Sequence, residues 1–265
     1  RVAVIGGGPA GVQALQTLCE RGHDVTLYEM SDRLGGNVVW GSVLPFKQDV
    51  KDYLDYLVCQ ANKAPARVLL NTEATKEMLE AEAYDALIIA VGSKPIIPPV
   101  PGIDKPHVHW APEADSGKVK VGNSTAIVGA GAVGIESAIG LKRAGKEVFV
   151  IEMAPDMSNL RASAGGASTE LLALIEELSI PLYLSCRLEE VTDTSVICRN
   201  TKASEKIEFA ADTVLLAVGM APRRDVADSL RRSAPETEVF VVGDAMEAGM
   251  IASAVMSAFK AAAYV

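Results

Sequence analysis

The sequence predicts an α/β protein built from two domains of one fold, because a single pattern of strand, glycine turn, helix and strand occurs twice. In each copy an apolar run leads into a Gly-x-Gly-x-x-Gly turn, and the strand after the helix ends in a glutamate. The turn glycines are Gly6, Gly8 and Gly11 in the first copy and Gly129, Gly131 and Gly134 in the second. The offset from Gly6 to Gly129 is 123 residues and recurs for every equivalent pair, so the repeat predicts two Rossmann-like dinucleotide-binding domains.

The elements of the first copy follow in order from its residue pattern. Val2–Ile5 is a continuous apolar run of the strand type, and Ala10–Glu20 carries apolar residues at helical spacing. Gly22 stands where the C-terminus of a helix favours glycine. The next apolar run, Asp24–Tyr28, is predicted to be a strand and is followed directly by Glu29.

The second copy repeats this order, with Gly145 after the helix and Glu152 after the strand Glu147–Ile151. Glycines in such a turn let the backbone approach a pyrophosphate, and the N-terminus of the helix attracts its negative charge. Glu29 and Glu152 would each accept hydrogen bonds from the ribose hydroxyls of an adenosine. Glu152 would repel a 2′-phosphate and no arginine directly follows it, so the second copy is expected to prefer NADH over NADPH.

Further segments complete the two domains. Tyr84–Ser93 and Ala211–Met220 are apolar and both contain Ala-Val-Gly, so each is predicted to be the exit strand of its domain. Glu238–Asp244 is a predicted strand that ends in Gly-Asp before the helical segment Ile251–Tyr264. Ala162–Thr169 is rich in alanine, glycine and serine and is predicted to be a mobile connection.

The composition excludes several classes of protein. Of 265 residues, 49% are hydrophobic and 22% are charged, which is typical of a globular chain and not of a disordered one. The net charge of −9 disfavours nucleic acid as a partner, and no apolar run predicts a membrane span. The four cysteines lack Cys-x-x-Cys spacing, which is typical of inert thiols in a reducing cytoplasm. No metal site is predicted.

With these turns and strands, the chain resembles the pyridine nucleotide-disulfide oxidoreductases over nearly all of its length. The resemblance implies that the first domain binds FAD and that the second, an NAD(H)-binding domain, is inserted in the first. The implied bounds are 1–98 with 226–265 for the FAD domain and 99–225 for the NAD(H) domain. The segment Leu34–Trp40 contains no cysteine, so the disulfide chemistry of that family is not expected.

A narrower resemblance rests on five segments, Tyr28–Gly36, Leu44–Leu57, Leu70–Thr75, Ser116–Gly122 and Val242–Ala245. They are similar to the C-terminal half of multidomain NADH:flavin oxidoreductases, a group that includes 2,4-dienoyl-CoA reductase, 2-enoate reductase and trimethylamine dehydrogenase. The implied partner is an N-terminal TIM barrel of the same full-length protein, with FMN and a 4Fe-4S cluster. The start of the chain at Arg1 is expected to mark where this part was removed.

The resemblance also implies which residues contact the cofactors, and it implies no catalytic side chain because hydride transfer is the chemistry of the cofactors. Glu29 would bind the adenosine ribose, Ala74 the adenine through its backbone, and Asp244 the ribityl chain. Ile251 would lie at a helix end near the flavin ring. The residues expected at FAD are Gly6, Gly8, Pro9, Ala10, Gly11, Glu29, Met30, Arg33, Gly36, Asn37, Ala74, Ala90, Val91, Gly92, Gly243, Asp244 and Ile251. The residues expected at NADH are Gly129, Gly131, Ala132, Val133, Gly134, Glu152 and Gly219.

Together these inferences predict a cytoplasmic flavoprotein module that passes hydride from NADH to FAD and electrons onward to an Fe-S cluster outside this chain. Two alternatives stay open. The module could hold ADP in place of FAD, as a structural element without redox activity. It could also be a free-standing NADH:ferredoxin-type reductase, although its net negative charge suits docking to an acidic ferredoxin poorly.

Overall fold

The computed structural model describes residues 1–234 and 236–265, and the chain divides into two compact units. Unit 1 combines Arg1–Lys94 with Met220–Val265, and unit 2 is the intervening segment Pro95–Gly219. Unit 2 is therefore an insertion in unit 1, and the predicted fold class is confirmed. The boundaries expected from the sequence, after residues 98 and 225, lie a few residues beyond the observed ones.

The two units are built from short strands and helices. The strands are β1 (Val2–Ile5), β2 (Val25–Tyr28), β3 (Arg67–Leu69), β4 (Ala86–Ile89), β5 (Ser93–Pro95), β6 (Val108–Trp110), β7 (Ser124–Val128), β8 (Glu147–Ile151), β9 (Leu182–Tyr183), β10 (Cys186–Val191), β11 (Ser195–Asn200), β12 (Lys206–Ala210), β13 (Thr213–Leu216), β14 (Met220–Pro222) and β15 (Glu238–Val241). The α-helices are α1 (Pro9–Glu20), α2 (Asn37–Gly41), α3 (Gln48–Lys63), α4 (Lys76–Glu82), α5 (Ala111–Asp115), α6 (Ala132–Arg143), α7 (Ser158–Ala164), α8 (Ser168–Glu177), α9 (Arg224–Ser233) and α10 (Ile251–Tyr264). Two short 3₁₀ turns cover Gly165–Ala167 and Gly243–Ala245.

A five-stranded parallel sheet in the order β15-β4-β1-β2-β3 forms the centre of unit 1. Successive side chains of a strand point to opposite faces of the sheet. Val2 and Val4 of β1 therefore pack into one core, with side chains from α1, α3 and α10. Ala3 and Ile5 pack into a second core, with side chains from α4 and α9. Unit 1 thus has helices on both faces of its sheet.

Unit 2 contains a five-stranded parallel sheet in the order β6-β13-β7-β8-β9. The antiparallel sheet β10-β11-β12 supplies buried side chains to a core on this sheet, where Cys198 and Val196 join Val128 and Val214. Helix α6 packs against β7 and β8, and its Ile135 and Ile139 are fully buried. Unit 2 therefore combines a parallel sheet with a small antiparallel one.

The strand that leads into each glycine turn lies at a point where the strand order changes direction. β1 has β2 on one side and the later β4 on the other, and β7 has β8 on one side and β13 on the other. Open α/β sheets bind ligands outside the carboxyl ends of their strands at such switch points. This rule predicts that a ligand would bind next to each glycine turn.

The structure corrects the prediction for Ala162–Thr169. In place of a mobile connection, α7 extends into this segment, a 3₁₀ turn follows, and α8 begins at Ser168. The weak helix propensity of serine and glycine is overridden by packing, because Leu160 of α7 is fully buried. None of the helices in the described part of the chain combines the length and the apolar character that crossing a lipid bilayer requires.

Candidate functional site

The outer two glycines of each turn are required by the fold. Gly6 follows β1 with a φ of +108°, and a Cβ atom on it would collide with the carbonyl group of Ala90. A Cβ atom on Gly11 would overlap the carbonyl oxygen of Gly6. Gly129, with a φ of +105°, and Gly134 have the equivalent constraints in unit 2. These four glycines let the strand, the turn and the helix pack closely.

The middle glycine of each turn has no such structural requirement. Gly8 has a φ of −76° and a ψ of −174°, which any residue adopts, and a Cβ atom on it would lie 3.8 Å from the Cα of Gly36. Gly131 has a φ of −73°, and a Cβ atom on it would lie 3.5 Å from the Ser163 Oγ. Both are ordinary van der Waals distances. The fold of each unit tolerates a side chain at these positions, whereas a ligand that approaches the backbone would not.

The N-terminus of α1 adjoins the first turn. In an α-helix the first N–H groups have no acceptor within the helix, so those of Ala10 and Gly11 are available to a ligand. Pro9 begins the helix without an N–H group, as proline often does at this position. Gly36, with a φ of +53°, lies against Gly8, since a Cβ atom on Gly36 would be 3.1 Å from the Gly8 Cα. The structure thus brings these predicted residues together.

Glu29, at the end of β2, is buried and held by three hydrogen bonds. Its Oε2 accepts from the Gly7 backbone amide at 2.7 Å, and its Oε1 accepts from the Ser31 amide and hydroxyl, each at 2.7 Å. The side chain is oriented by the turn and by its own loop. The second lone pair of Oε2 remains able to accept a hydrogen bond from a ribose hydroxyl.

Glu152 in unit 2 is bound in the same way. Its Oε2 accepts from the Ala130 amide at 2.8 Å, and its Oε1 accepts from the Ala154 amide at 2.8 Å and from the Asn159 Nδ2 at 3.2 Å. Only 4% of the residue is exposed. Because the acceptors and the backbone donors repeat at the 123-residue offset, both units have the same carboxylate geometry.

Helix α6 begins at Ala132, directly after the second turn. The Ala132 amide donates to the Ser163 Oγ at 2.9 Å, so the first amide of this helix already has a partner from α7. Val133 follows with 44% of its surface exposed. The amides of Val133 and Gly134 belong to the first turn of α6, where no acceptor within the helix is available.

The predicted exit-strand residues lie next to the turns. The Ala90 amide donates to the Ile5 carbonyl at 2.8 Å, and Val91 follows it toward Gly92, which has a φ of +72°. Gly219, with a φ of +101°, follows the second Ala-Val and accepts a hydrogen bond from the Ile96 amide at 3.0 Å. These residues continue the carboxyl ends of β4 and β13.

A chain of polar side chains in unit 1 was not expected from the sequence. Asn37 Nδ2 donates to the Ser93 Oγ at 3.2 Å, and that hydroxyl donates to the Asp244 Oδ2 at 2.8 Å. The Asp244 Oδ1 accepts from the Gly249 amide at 3.2 Å. Ser93 thus links two predicted residues, Asn37 and Asp244. The sequence gives one indication of this role, which is that Ser93 directly follows Ala-Val-Gly.

The remaining predicted residues are more dispersed. The Gly243 amide donates to the Ser257 hydroxyl at 2.8 Å, and Ile251 is the first residue of α10. Ala74 lies in the loop before α4 and packs on the second core of unit 1. Met30 and Arg33 have exposed side chains, and the Arg33 guanidinium pairs with its neighbour Asp32 at 2.8 Å.

The cysteines do not form a reactive pair. Cys186 and Cys198 are buried on adjacent strands. Burial raises the pKa of both thiols, so the reactive thiolate is disfavoured. Cys59 is exposed and Cys19 is half-buried. Within residues 1–234 and 236–265, no group of three or more His, Cys, Asp or Glu side chains is placed to hold a metal ion.

Comparison with known proteins identifies the family of the chain. The family model of pyridine nucleotide-disulphide oxidoreductases matches residues 1–259. The chain is 32% identical over 263 residues to the cinnamate reductase of Clostridium sporogenes. This match covers 99% of the chain and 39% of that protein. The chain is also 32% identical over 274 residues to the NADH oxidase of Thermoanaerobacter brockii, with 99% and 40% covered.

Among solved structures, a 2-naphthoyl-CoA reductase in complex with 2-naphthoyl-CoA superposes with a TM-score of 0.90 at 30% identity. The superposition covers all of this chain and 40% of that one. The chain thus spans about two fifths of the length of these relatives. Because this family model matches nearly the whole sequence, the chain belongs to the pyridine nucleotide-disulphide oxidoreductase family, which confirms the resemblance stated from its sequence.

Proposed function

We propose that unit 1 binds FAD, that unit 2 binds NADH, and that the chain carries electrons from NADH through FAD to another part of a longer protein. The observation that carries the proposal is the pair of middle glycines, Gly8 and Gly131. The fold leaves room for a side chain at both positions. Glycine there is explained by a ligand whose pyrophosphate lies against the turn, and the residues present therefore fit a dinucleotide in each unit.

In unit 1 the residues of the chain would bind and orient FAD. The amides of Ala10 and Gly11 would face the pyrophosphate at the N-terminus of α1, and Glu29 would accept from a ribose hydroxyl. Asp244, fixed through Ser93 and Gly249, would hold a hydroxyl of the ribityl chain. When bound, FAD takes up a hydride from NADH and releases electrons singly.

In unit 2 the buried Glu152 supports NADH over NADPH. Its carboxylate is held by the amides of Ala130 and Ala154, so it cannot turn away from a ligand without leaving these donors unpaired. A 2′-phosphate on the adenosine ribose would meet this fixed negative charge. The ribose of NADH would instead donate a hydroxyl hydrogen to it.

The electron acceptor is proposed to lie outside this chain. The relatives are more than twice as long as the matched segment, which supports a partner domain in the same full-length protein. We assign FMN and a 4Fe-4S cluster to that N-terminal domain, in line with the resemblance to multidomain NADH:flavin oxidoreductases. A free-standing ferredoxin-type reductase is the competing arrangement, and the length of the natural gene product distinguishes the two.

The nucleotide released from the purified, denatured chain tests the assignment of unit 1. We expect FAD, identified by chromatography against FAD and ADP standards, at one equivalent per chain after incubation with excess FAD and removal of the unbound cofactor. A chain that releases ADP and takes up no FAD would replace this proposal with the ADP-binding structural module. The repeated turn at Gly131 argues against that module, because a chain that never meets NADH would not need glycine there.

A further inference from the structure

Helix α7 contacts both groups of unit 2 that a dinucleotide would use. Its Asn159 side chain donates to the Glu152 carboxylate at 3.2 Å, and its Ser163 hydroxyl accepts from the Ala132 amide at 2.9 Å. Asn159 and Ser163 are four residues apart and therefore lie on one face of the helix. The Ser163 hydroxyl donates in turn to the Asn159 carbonyl at 2.7 Å, which directs an oxygen lone pair at Ala132.

In these two contacts, Asn159 and Ser163 have the donor and acceptor roles that a bound nucleotide would have. A ribose hydroxyl would donate to Glu152, as the Asn159 amide does, and a phosphate oxygen would accept from Ala132, as the Ser163 hydroxyl does. A Cβ atom on Gly131 would lie 3.5 Å from the Ser163 Oγ, so this hydroxyl occupies space beside the middle glycine of the turn. A pyrophosphate against the same glycine would need that space.

Unit 1 has no counterpart to the Ser163 contact. At the 123-residue offset, the position of Ala132 is taken by Pro9, which has no N–H group to donate. Glu29 accepts from the Ser31 hydroxyl at 2.7 Å. The same hydroxyl lies 2.7 Å from the Arg33 carbonyl and can donate to that oxygen instead. The contact of a helix with both nucleotide-binding groups is therefore a property of unit 2.

We propose that the hydrogen bonds of Asn159 to Glu152 and of Ser163 to Ala132 take the place of those of the nucleotide and so compete with NADH. The proposal rests on the assignment of NADH to unit 2. Leu160 is fully buried and anchors α7, whereas Asn159 and Ser163 are exposed. The nucleotide would displace these two side chains from Glu152 and Ala132.

Calorimetric titration of the FAD-loaded chain with NAD⁺ tests this competition without reducing the flavin. We expect Ser163→Ala to bind NAD⁺ about two- to tenfold more tightly than the wild type, because the lost hydrogen bond no longer has to be broken. Ser163→Asp should bind more weakly than the wild type, because a carboxylate at the N-terminus of α6 substitutes better for phosphate. Ser158→Ala, a change of the same residue type on α7 away from the turn, should leave the affinity unchanged.

The two variants of Ser163 are expected to shift the affinity in opposite directions, which a purely structural role would not produce. Weaker or unchanged binding in Ser163→Ala, with NAD⁺ binding intact in the wild type, would overturn the competition alone. If neither NAD⁺ nor NADH bound to the wild type or to either variant, the assignment of NADH to unit 2 would fail, and the competition with it.

Discussion

Gly8→Ala is expected to give a folded protein that has lost most of its affinity for FAD. The added Cβ would meet only the Gly36 Cα, at 3.8 Å, and the backbone of Gly8 is in a conformation that alanine adopts. The methyl group would instead stand where the pyrophosphate approaches the turn. Losing one hydrogen bond to a charged phosphate costs about 1.5–3 kcal/mol, which corresponds to about 10- to 100-fold in the dissociation constant of FAD.

The affinity is measured by titrating the FAD-free proteins with FAD and following flavin fluorescence. Gly166→Ala is the matched control, because a Cβ atom there meets nothing within 4 Å and the position lies outside unit 1. Its FAD affinity should equal that of the wild type. Gly8→Ala with wild-type affinity would show that the middle glycine does not face a pyrophosphate, and the proposal for unit 1 would lose its main support.

Gly11→Ala is expected to cause a large loss of stability, whereas Gly8→Ala is expected to weaken FAD binding and leave the fold intact. A Cβ atom on Gly11 would overlap the Gly6 carbonyl oxygen, so β1 and α1 would have to move apart. Overpacking of this kind costs about 1–3 kcal/mol or more in free energy of unfolding. For a chain of this size, a loss of about 2 kcal/mol lowers the midpoint of thermal unfolding by about 4–8 °C.

Thermal unfolding of the FAD-free proteins, followed by circular dichroism, measures this loss. Gly8→Ala is the internal control, because it changes the same residue type in the same turn and should cost less than about 1 kcal/mol, the scale of a helix N-cap substitution. Equal midpoints for Gly11→Ala and the wild type would contradict the close contact between the helix and the turn.

The main features of the fold could be predicted because they depend on local constraints. The positive φ of Gly6 and Gly129 and the close approach at Gly11 and Gly134 can be satisfied only by glycine, so they are visible in the sequence. The apolar runs before the turns have the strand pattern, and the constant offset of the glycines and glutamates identified the repeat. Helix α10 was predicted with its observed bounds, Ile251–Tyr264.

The rest of the site depends on contacts between distant segments, which a single sequence does not reveal. Ser93 and Asp244 meet only once the sheet of unit 1 has formed. The role of Ser163 depends on α7, whose position is set by the burial of Leu160. A serine in a segment rich in alanine and glycine is typical of a loop, so the sequence favoured the wrong element there.

Anaerobic titration of the FAD-loaded chain with NADH, and separately with NADPH, tests the central claim most directly. We predict that the visible absorption band of the flavin bleaches with NADH, and at a lower concentration of NADH than of NADPH because Glu152 repels the 2′-phosphate. A visible band that persists in excess NADH would contradict the claim that this chain transfers electrons from NADH to FAD.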